Sequence, residues 1–367
     1  MARIVTVYAS ARDPLRPEEM GHIRWVKISE ALARAGHCVD IATNEPGWRM
    51  NPEPVTMGPL LRRVPLAGVD WRKYDVVKTL FHHGFNTLEA YGGARHPFLI
   101  CKLGSVVGAR DMDGIYFYGK IREGLFATQK KIHRAARYVT VLSRPAEELM
   151  RREHGEHAGY LLVPGGVDDV IPAPGDNPYD GPVCLFSGNI YTEESQPEAN
   201  RVLVDKLNTL GRLLTGSGVR LCFQGPGDTG RLDAGVVTVL GVSEYQSSWN
   251  YMQHAAVGLV VSAGPFMHNN ESTKIYHYLR AGLPVVSESG FPNDHVVRES
   301  GLGHVVHEGK IKELAGMVIS AARAHWDREG AVRYVRANHT WDVRAKVYEG
   351  VIPERPRMPL RYRMFGK

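Results

Sequence analysis

Apolar residues recur along this chain in two rhythms that alternate from end to end. Short runs rich in Val, Ile and Leu occur at residues 3–10, 38–42, 74–81, 97–103, 138–143, 182–189, 219–227, 236–241, 255–261 and 303–307. Between them lie stretches whose apolar positions return every three to four residues, at 17–35, 115–136, 145–154, 197–214, 310–323 and 328–348. The short runs predict strands buried on both faces and the longer stretches predict amphipathic helices. Strands and helices that alternate in this way predict parallel sheets with right-handed crossovers, in the doubly wound α/β class. Residues 169–181, rich in Pro, Gly and Asp and without periodicity, read as a linker between two such units.

One stretch concentrates the candidate chemistry. From Ser262 to Pro292 the chain reads SAGPFMHNNESTKIYHYLRAGLPVVSESGFP: the end of a strand, a polar loop, a short helix and another strand. Asn270, Ser272 and Thr273 are N-cap choices, Ile275 and Leu279 share an apolar face with Tyr276 or Tyr278, and Gly282 and Pro284 end the helix. The loop is expected to open at the carboxyl edge of a sheet, where open α/β folds bind ligands. A helix start presents unpaired N–H groups and partial positive charge, which suit a phosphate. Lys274 falls in that first turn, where the helix dipole alone favours a carboxylate. A lysine there fits an anionic ligand, and a solvated surface lysine is the plain alternative.

Composition bounds the reading without naming a chemistry. At 367 residues the chain exceeds one ordinary core, since domains run roughly 100–200 residues. With 43% apolar and 23% charged residues it has ordinary globular usage. A net charge of +6 and an isoelectric point near 9.0 suit an anionic small molecule or membrane surface, and are too modest to argue for nucleic acid. Cys38, Cys101, Cys184 and Cys222 are far apart and read as reduced thiols of a cytoplasmic protein. The opening residues are expected to enter a strand directly, with no signal-peptide core, and no apolar run approaches the roughly 18 residues of a membrane span.

The segment STKIYHYLRAGLPVV, residues 272–286, resembles a signature of the nucleotide-binding domain of GT-B glycosyltransferases, two Rossmann-like domains facing a cleft. The junction at residues 36–43 and the VPGGVD segment at 163–168 are similar to further GT-B segments, the second with Gly165 where Asn is usual. The resemblance implies an acceptor-binding domain over 1–168, the linker at 169–181, a donor-binding domain over 182–340, and a tail at 341–367 that crosses back. It implies that Ser272, Thr273 and Lys274 hold the donor diphosphate, that Gly188 at a strand end lets the backbone approach it, and that Val242 and Tyr245 lie near the base, where a helix N-cap with a core-facing tyrosine explains them equally well. Asn189, after Gly188, and Gly225, in a glycine-rich exit that tight turns also use, are further candidates. Asn269 and His277 stand where many retaining members carry glutamates, with Glu271 between them. Bacterial exopolysaccharide enzymes of the xanthan-type glucuronosyltransferase kind resemble this variant better. No basic pair follows Gly188, which leaves Lys274 as the visible diphosphate cation.

The acceptor side is less marked. His82-His83-Gly84 and the loop from Gly104 to Gly114 leave strand ends, which makes His82, Asp111 and Asp113 the candidates for catalysis. Asp111 and Asp113 read equally as an Asx-turn pair capping the following helix. Adjacent histidines without a third spaced ligand make no metal site. The implied activity is sugar transfer from a UDP-linked donor to an acceptor hydroxyl of a glycan, a lipid-linked molecule or a small molecule, without metal or other cofactor. An epimerase of the same fold and a non-catalytic nucleotide-binding or glycan-binding domain are the alternatives. The tail after Pro353 alternates Arg with apolar residues. It reads either as a segment packed on the first domain or as a contact with the inner face of a membrane.

Overall fold

The computed structural model of the chain describes residues 1–8, 20–44, 54–108, 119–194 and 196–353. Asp111, Asp113 and the basic tail from residue 354 onward lie outside the described residues. Contacts divide the chain into two compact units. One holds the described residues of 1–102 with 135–138 and those from Ala345 onward, and the other holds 119–134, 139–344 and the described residues that follow Lys102.

In the first half of the chain the elements are β1 (Arg3–Val7), α1 (Met20–Arg34), β2 (Cys38–Thr43), β3 (Val55–Gly58), β4 (Leu61–Pro65), β5 (Val76–Leu80), α2 (Phe81–Ala90), β6 (Leu99–Lys102), α3 (Gly119–Ala135), β7 (Tyr138–Val141), α4 (Arg144–His154) and β8 (Tyr160–Leu162). Their sheet runs β3-β4-β2-β1-β5-β6-β7-β8. The pairs β1–β2, β1–β5, β2–β4, β5–β6 and β7–β8 are parallel, and at the edge β3 pairs antiparallel with β4. The sequence pattern did not predict β3 or β4, because their arginines and exposed positions break the apolar run.

The second half gives β9 (Val183–Ser187), α5 (Pro197–Leu214), β10 (Arg220–Gln224), β11 (Val237–Gly241), α6 (Tyr245–His254), β12 (Val257–Val260), α7 (Thr273–Arg280), β13 (Val285–Glu288), α8 (His295–Ser300), β14 (Gly303–Val306), α9 (Ile311–Arg323), α10 (Arg328–Asn338) and α11 (Trp341–Glu349). Six parallel strands run in the order β11-β10-β9-β12-β13-β14. Counted from β9 this is 3-2-1-4-5-6, so the strand order reverses between β9 and β12 and opens a crevice at their carboxyl ends. Alternation along each strand divides the core. Cys184 and Phe186 face a cluster with Leu203, Leu207 and Leu210 of α5 and Leu314 and Val318 of α9. Val183 and Leu185 face a cluster with Trp249 of α6 and Ile275, Tyr278 and Leu279 of α7. Each such side chain contributes roughly 1.5–3 kcal/mol when taken out of water.

Three expectations need correction. His82 and His83 were expected in a loop, but they sit in the first turn of α2, because β5 passes into that helix through Phe81 at a φ of 59°. The long helix expected at 328–348 is two helices. Val167 forms a parallel bridge with Thr340, donating its N–H to the His339 carbonyl and accepting from Trp341, and this opens the helix between Asn338 and Trp341. The helix expected from Ser243 starts at Tyr245, since the Ser243 hydroxyl accepts a hydrogen bond from Gln224. All four cysteines are free thiols, three buried and Cys38 partly exposed.

Candidate functional site

Helix α7 is fixed under the sheet by Tyr278. Its hydroxyl accepts from the Ser187 N–H at 2.7 Å and donates to the Leu185 carbonyl at 3.1 Å, so the helix is tied to the end of β9. Two residues further on, Arg280, almost fully buried, donates to the backbone carbonyls of Asp168 and Asp169, so the last turn is held from both sides. With the last turn held in this way, the first turn of α7 lies at the carboxyl edge of the sheet, beside the point where the strand order reverses.

Lys274 reaches over the end of β9. Its Nζ stands 5.0 Å from the centre of the Phe186 ring, and a Cβ on Gly188 would overlap the lysine stem and lie 2.8 Å from Nζ. Residue 188 must therefore be glycine for the ammonium to occupy this place. Gly225, at the end of β10, has a φ of 139°, and a Cβ there would collide with the Gly188 carbonyl. Two bare strand ends thus pack together beneath the lysine. The Lys274 side chain keeps some exposure, yet burial pushes its pKa down to about 8, with no acidic side chain among the described residues opposing that shift.

The helix start itself is unspent. Ser272 holds the N-cap position, but its hydroxyl does not cap the helix and, although almost fully buried, has no hydrogen-bond partner among the described residues. Its N–H donates to Asn293 Oδ1 at 3.0 Å and its carbonyl accepts from Asn293 Nδ2 at 2.9 Å. The N–H groups of Thr273 and Lys274 begin the helix and have no earlier turn to donate to. Ammonium, amides and hydroxyl together form a cluster of donors without an acceptor, which suits an oxyanion.

Around this centre the other predicted residues are distributed unevenly. His277 is buried, its Nδ1 2.8 Å from the Thr273 carbonyl, which can only accept. Nδ1 therefore carries a proton, and in the neutral ring Nε2, 3.4 Å from the Tyr245 hydroxyl, keeps a lone pair. Trp249 stacks on the same ring at 5.2 Å. Glu271 does not present its carboxylate freely: one oxygen accepts from the Gly165 N–H at 2.6 Å and the other from the Tyr276 hydroxyl at 2.7 Å. The Asn269 carbonyl accepts from Ser143, the N-cap of α4, while its side-chain oxygen is buried without a partner among the described residues. Asn189 and Val242 are exposed, Val242 by 72%. His82 belongs to the first unit and is almost fully buried there. Among the described residues no three His, Cys, Asp or Glu side chains are placed to hold a metal ion, and no helix is long and apolar enough to cross a membrane.

The sequence reading missed Tyr278, Phe186 and Asn293. Tyr278 and Phe186 sit in apolar runs where a core role explains them. Asn293 meets Ser272 across 21 residues of chain, a distance that no local pattern reports.

No family model matches the chain, and no curated protein matches it. Solved structures do. Sucrose-phosphate synthase from Thermosynechococcus elongatus superposes with a TM-score of 0.71 at 16% identity, covering 96% of this chain and 98% of its own. HepE of Anabaena, solved in complex with UDP-glucose, gives a TM-score of 0.66 at 14% identity over 96% and 99%. WaaG, a glycosyltransferase involved in lipopolysaccharide biosynthesis, gives 0.64 at 12% over 96% and 100%. At these identities the likeness carries the fold: mixed α/β, with two Rossmann-like units built on parallel sheets, as in GT-B glycosyltransferases.

Proposed function

We propose that this chain is a glycosyltransferase that moves a sugar from a UDP-linked donor to an acceptor hydroxyl. One observation carries the reading: a half-buried lysine, a bare glycine step and an uncapped helix start converge where the order of the second sheet reverses. Similar folds come from proteins whose names include sucrose-phosphate synthase and a glycosyltransferase of lipopolysaccharide biosynthesis, and HepE was solved with UDP-glucose bound.

In this reading the donor diphosphate lies over Gly188, with its oxygens on the amides of Thr273 and Lys274, the Ser272 hydroxyl and the Lys274 ammonium. These groups are already oriented when the bond to the sugar lengthens, so charge arriving on the leaving phosphate meets donors that need no rearrangement. That neutralisation requires no metal. Val242, Tyr245 and His277 flank the nucleoside, Asn189, Asn269 and Gly225 line the approach, and Glu271 frames the site by holding Gly165. The base for the acceptor hydroxyl is drawn from Asp111, Asp113 and His82. The acceptor class is a glycan, a lipid-linked molecule or a small molecule, and the setting is the cytoplasm or the inner face of a membrane.

Thermal-shift titration against UDP, GDP and ADP sugars tests the donor, since a ligand that binds only the folded state raises its stability. UDP sugars should give the largest shift, and Lys274→Ala should abolish release of UDP from the donor. UDP binding by the wild type without turnover, in the presence of acceptors or of water alone, would replace the transferase with a nucleotide-binding module.

A further inference from the structure

We infer that Asn293 is a positioning residue that keeps the start of α7 open for a diphosphate; the inference rests on the function proposed above. The side chain lies in the segment between β13 and α8 and is completely buried. It reads both backbone groups of Ser272 at once, donating to the carbonyl at 2.9 Å and accepting from the N–H at 3.0 Å. It also lies beside the Tyr276 hydroxyl. Only one orientation of the amide satisfies both backbone groups, because flipping it would set donor against donor.

The consequence lies in what Ser272 is prevented from doing. A serine at an N-cap ordinarily turns its hydroxyl onto an amide of the first turn and satisfies one of the helix's free donors. Here the hydroxyl makes no such bond and has no hydrogen-bond partner among the described residues, although Ser272 is almost fully buried. Asn293 replaces self-capping with a clamp on the residue's own peptide groups. That arrangement holds the chain direction into α7 and leaves the hydroxyl and the next two amides for a ligand. Glu271, the preceding residue, is tied to Gly165 and Tyr276, so two consecutive residues before the helix are fixed from opposite partners. Aspartate at 293 would lose the donor to the Ser272 carbonyl, and alanine would lose both contacts and strand two buried peptide groups.

Calorimetric titration of the full chain with UDP and with uridine separates positioning from general support. Asn293→Ala should weaken UDP binding by about tenfold while changing uridine affinity by less than about twofold, because only the diphosphate meets the α7 start. Equal weakening of both ligands, or no weakening, overturns the inference. Should the alanine variant fail to fold, Asn293→Asp keeps the shape and the acceptor, and the same selective loss is expected from it. A wild type that does not bind UDP overturns the proposed function and the inference with it. A wild type that binds UDP while the folded variants bind it equally well overturns the inference alone.

Discussion

Each of the two units holds a lysine against an aromatic ring, and the two lysines differ in everything that would make one of them a site. Lys78 stands in the middle of β5, almost fully buried, with Nζ 4.9 Å from the centre of the Tyr348 ring. Lys274 stands in the first turn of α7, with Nζ 5.0 Å from the centre of the Phe186 ring. Burial pushes both ammonium groups down to about 8. Around Lys78 the backbone donors are committed to the ladders with β1 and β6. Around Lys274 the free donors are those of the helix start, the amides of Thr273 and Lys274 with the Ser272 hydroxyl, beside a strand end that carries no side chain at Gly188. A lowered pKa thus reports desolvation in both places. Only the convergence of unspent donors at a sheet edge distinguishes a ligand seat from a charged group enclosed in a core.

Replacing each lysine with methionine breaks the comparison most directly. Lys274→Met should cost roughly 30- to 100-fold in UDP affinity, the loss of about 2–3 kcal/mol expected when a charged hydrogen-bond partner is removed. Lys78→Met should leave UDP affinity unchanged and raise stability by about 1–3 kcal/mol, because a buried charge gives way to an apolar chain of similar length. Denaturant midpoints measure the second effect. The sign of its pH dependence follows from the lowered pKa. Between about pH 8 and about pH 10 the unfolded chain still binds the Lys78 proton and the folded one does not, so wild-type stability rises with pH there. The methionine variant should lose the part of that slope that belongs to Lys78. Equal UDP affinity in the two variants would refute the contrast.

The next effect in size is on binding and runs the other way. In the free protein Lys274 loses its proton near pH 8. A bound diphosphate favours the ammonium, so UDP affinity should fall about tenfold between about pH 7 and about pH 9, with a proton taken up on binding at the upper end. Titration in buffers of different ionisation enthalpy measures the uptake. In Lys274→Met the profile should be flat through this range, and a wild-type profile that is equally flat would remove the ammonium from the site.

The fold was legible where local and tertiary preferences agree. Helix α5 keeps its expected bounds from Pro197 to Leu214, since Pro starts it and its apolar stripe meets the sheet at every turn. The stop at Gly282 was legible for the same reason. The start of α7 was read half correctly: Ser272 is the N-cap, but its hydroxyl is idle because Asn293, distant in sequence, holds its backbone. The break between α10 and α11 comes from a bridge to Val167, and nothing within 328–348 foretells it. In the site, Lys274 was legible as a cation at a helix start. Its cradle was not, because the match between Gly188 and the lysine stem exists only once β9 and α7 are packed together.

That cradle gives the smallest and most local prediction. A methyl group on residue 188 would overlap the stem of Lys274, and the stem is the flexible end of a side chain, so the ammonium moves while the backbone of β9 stays. Gly188→Ala should therefore fold with a nearly unchanged denaturant midpoint and bind UDP about five- to tenfold more weakly. If displacement of the ammonium is the whole cause, adding Gly188→Ala to Lys274→Met should weaken UDP binding no further, since the two substitutions then remove one interaction. Additive losses in that double variant would mean that the methyl group blocks the diphosphate itself. The lysine and the glycine step would then act on the ligand separately, as two contacts and not one.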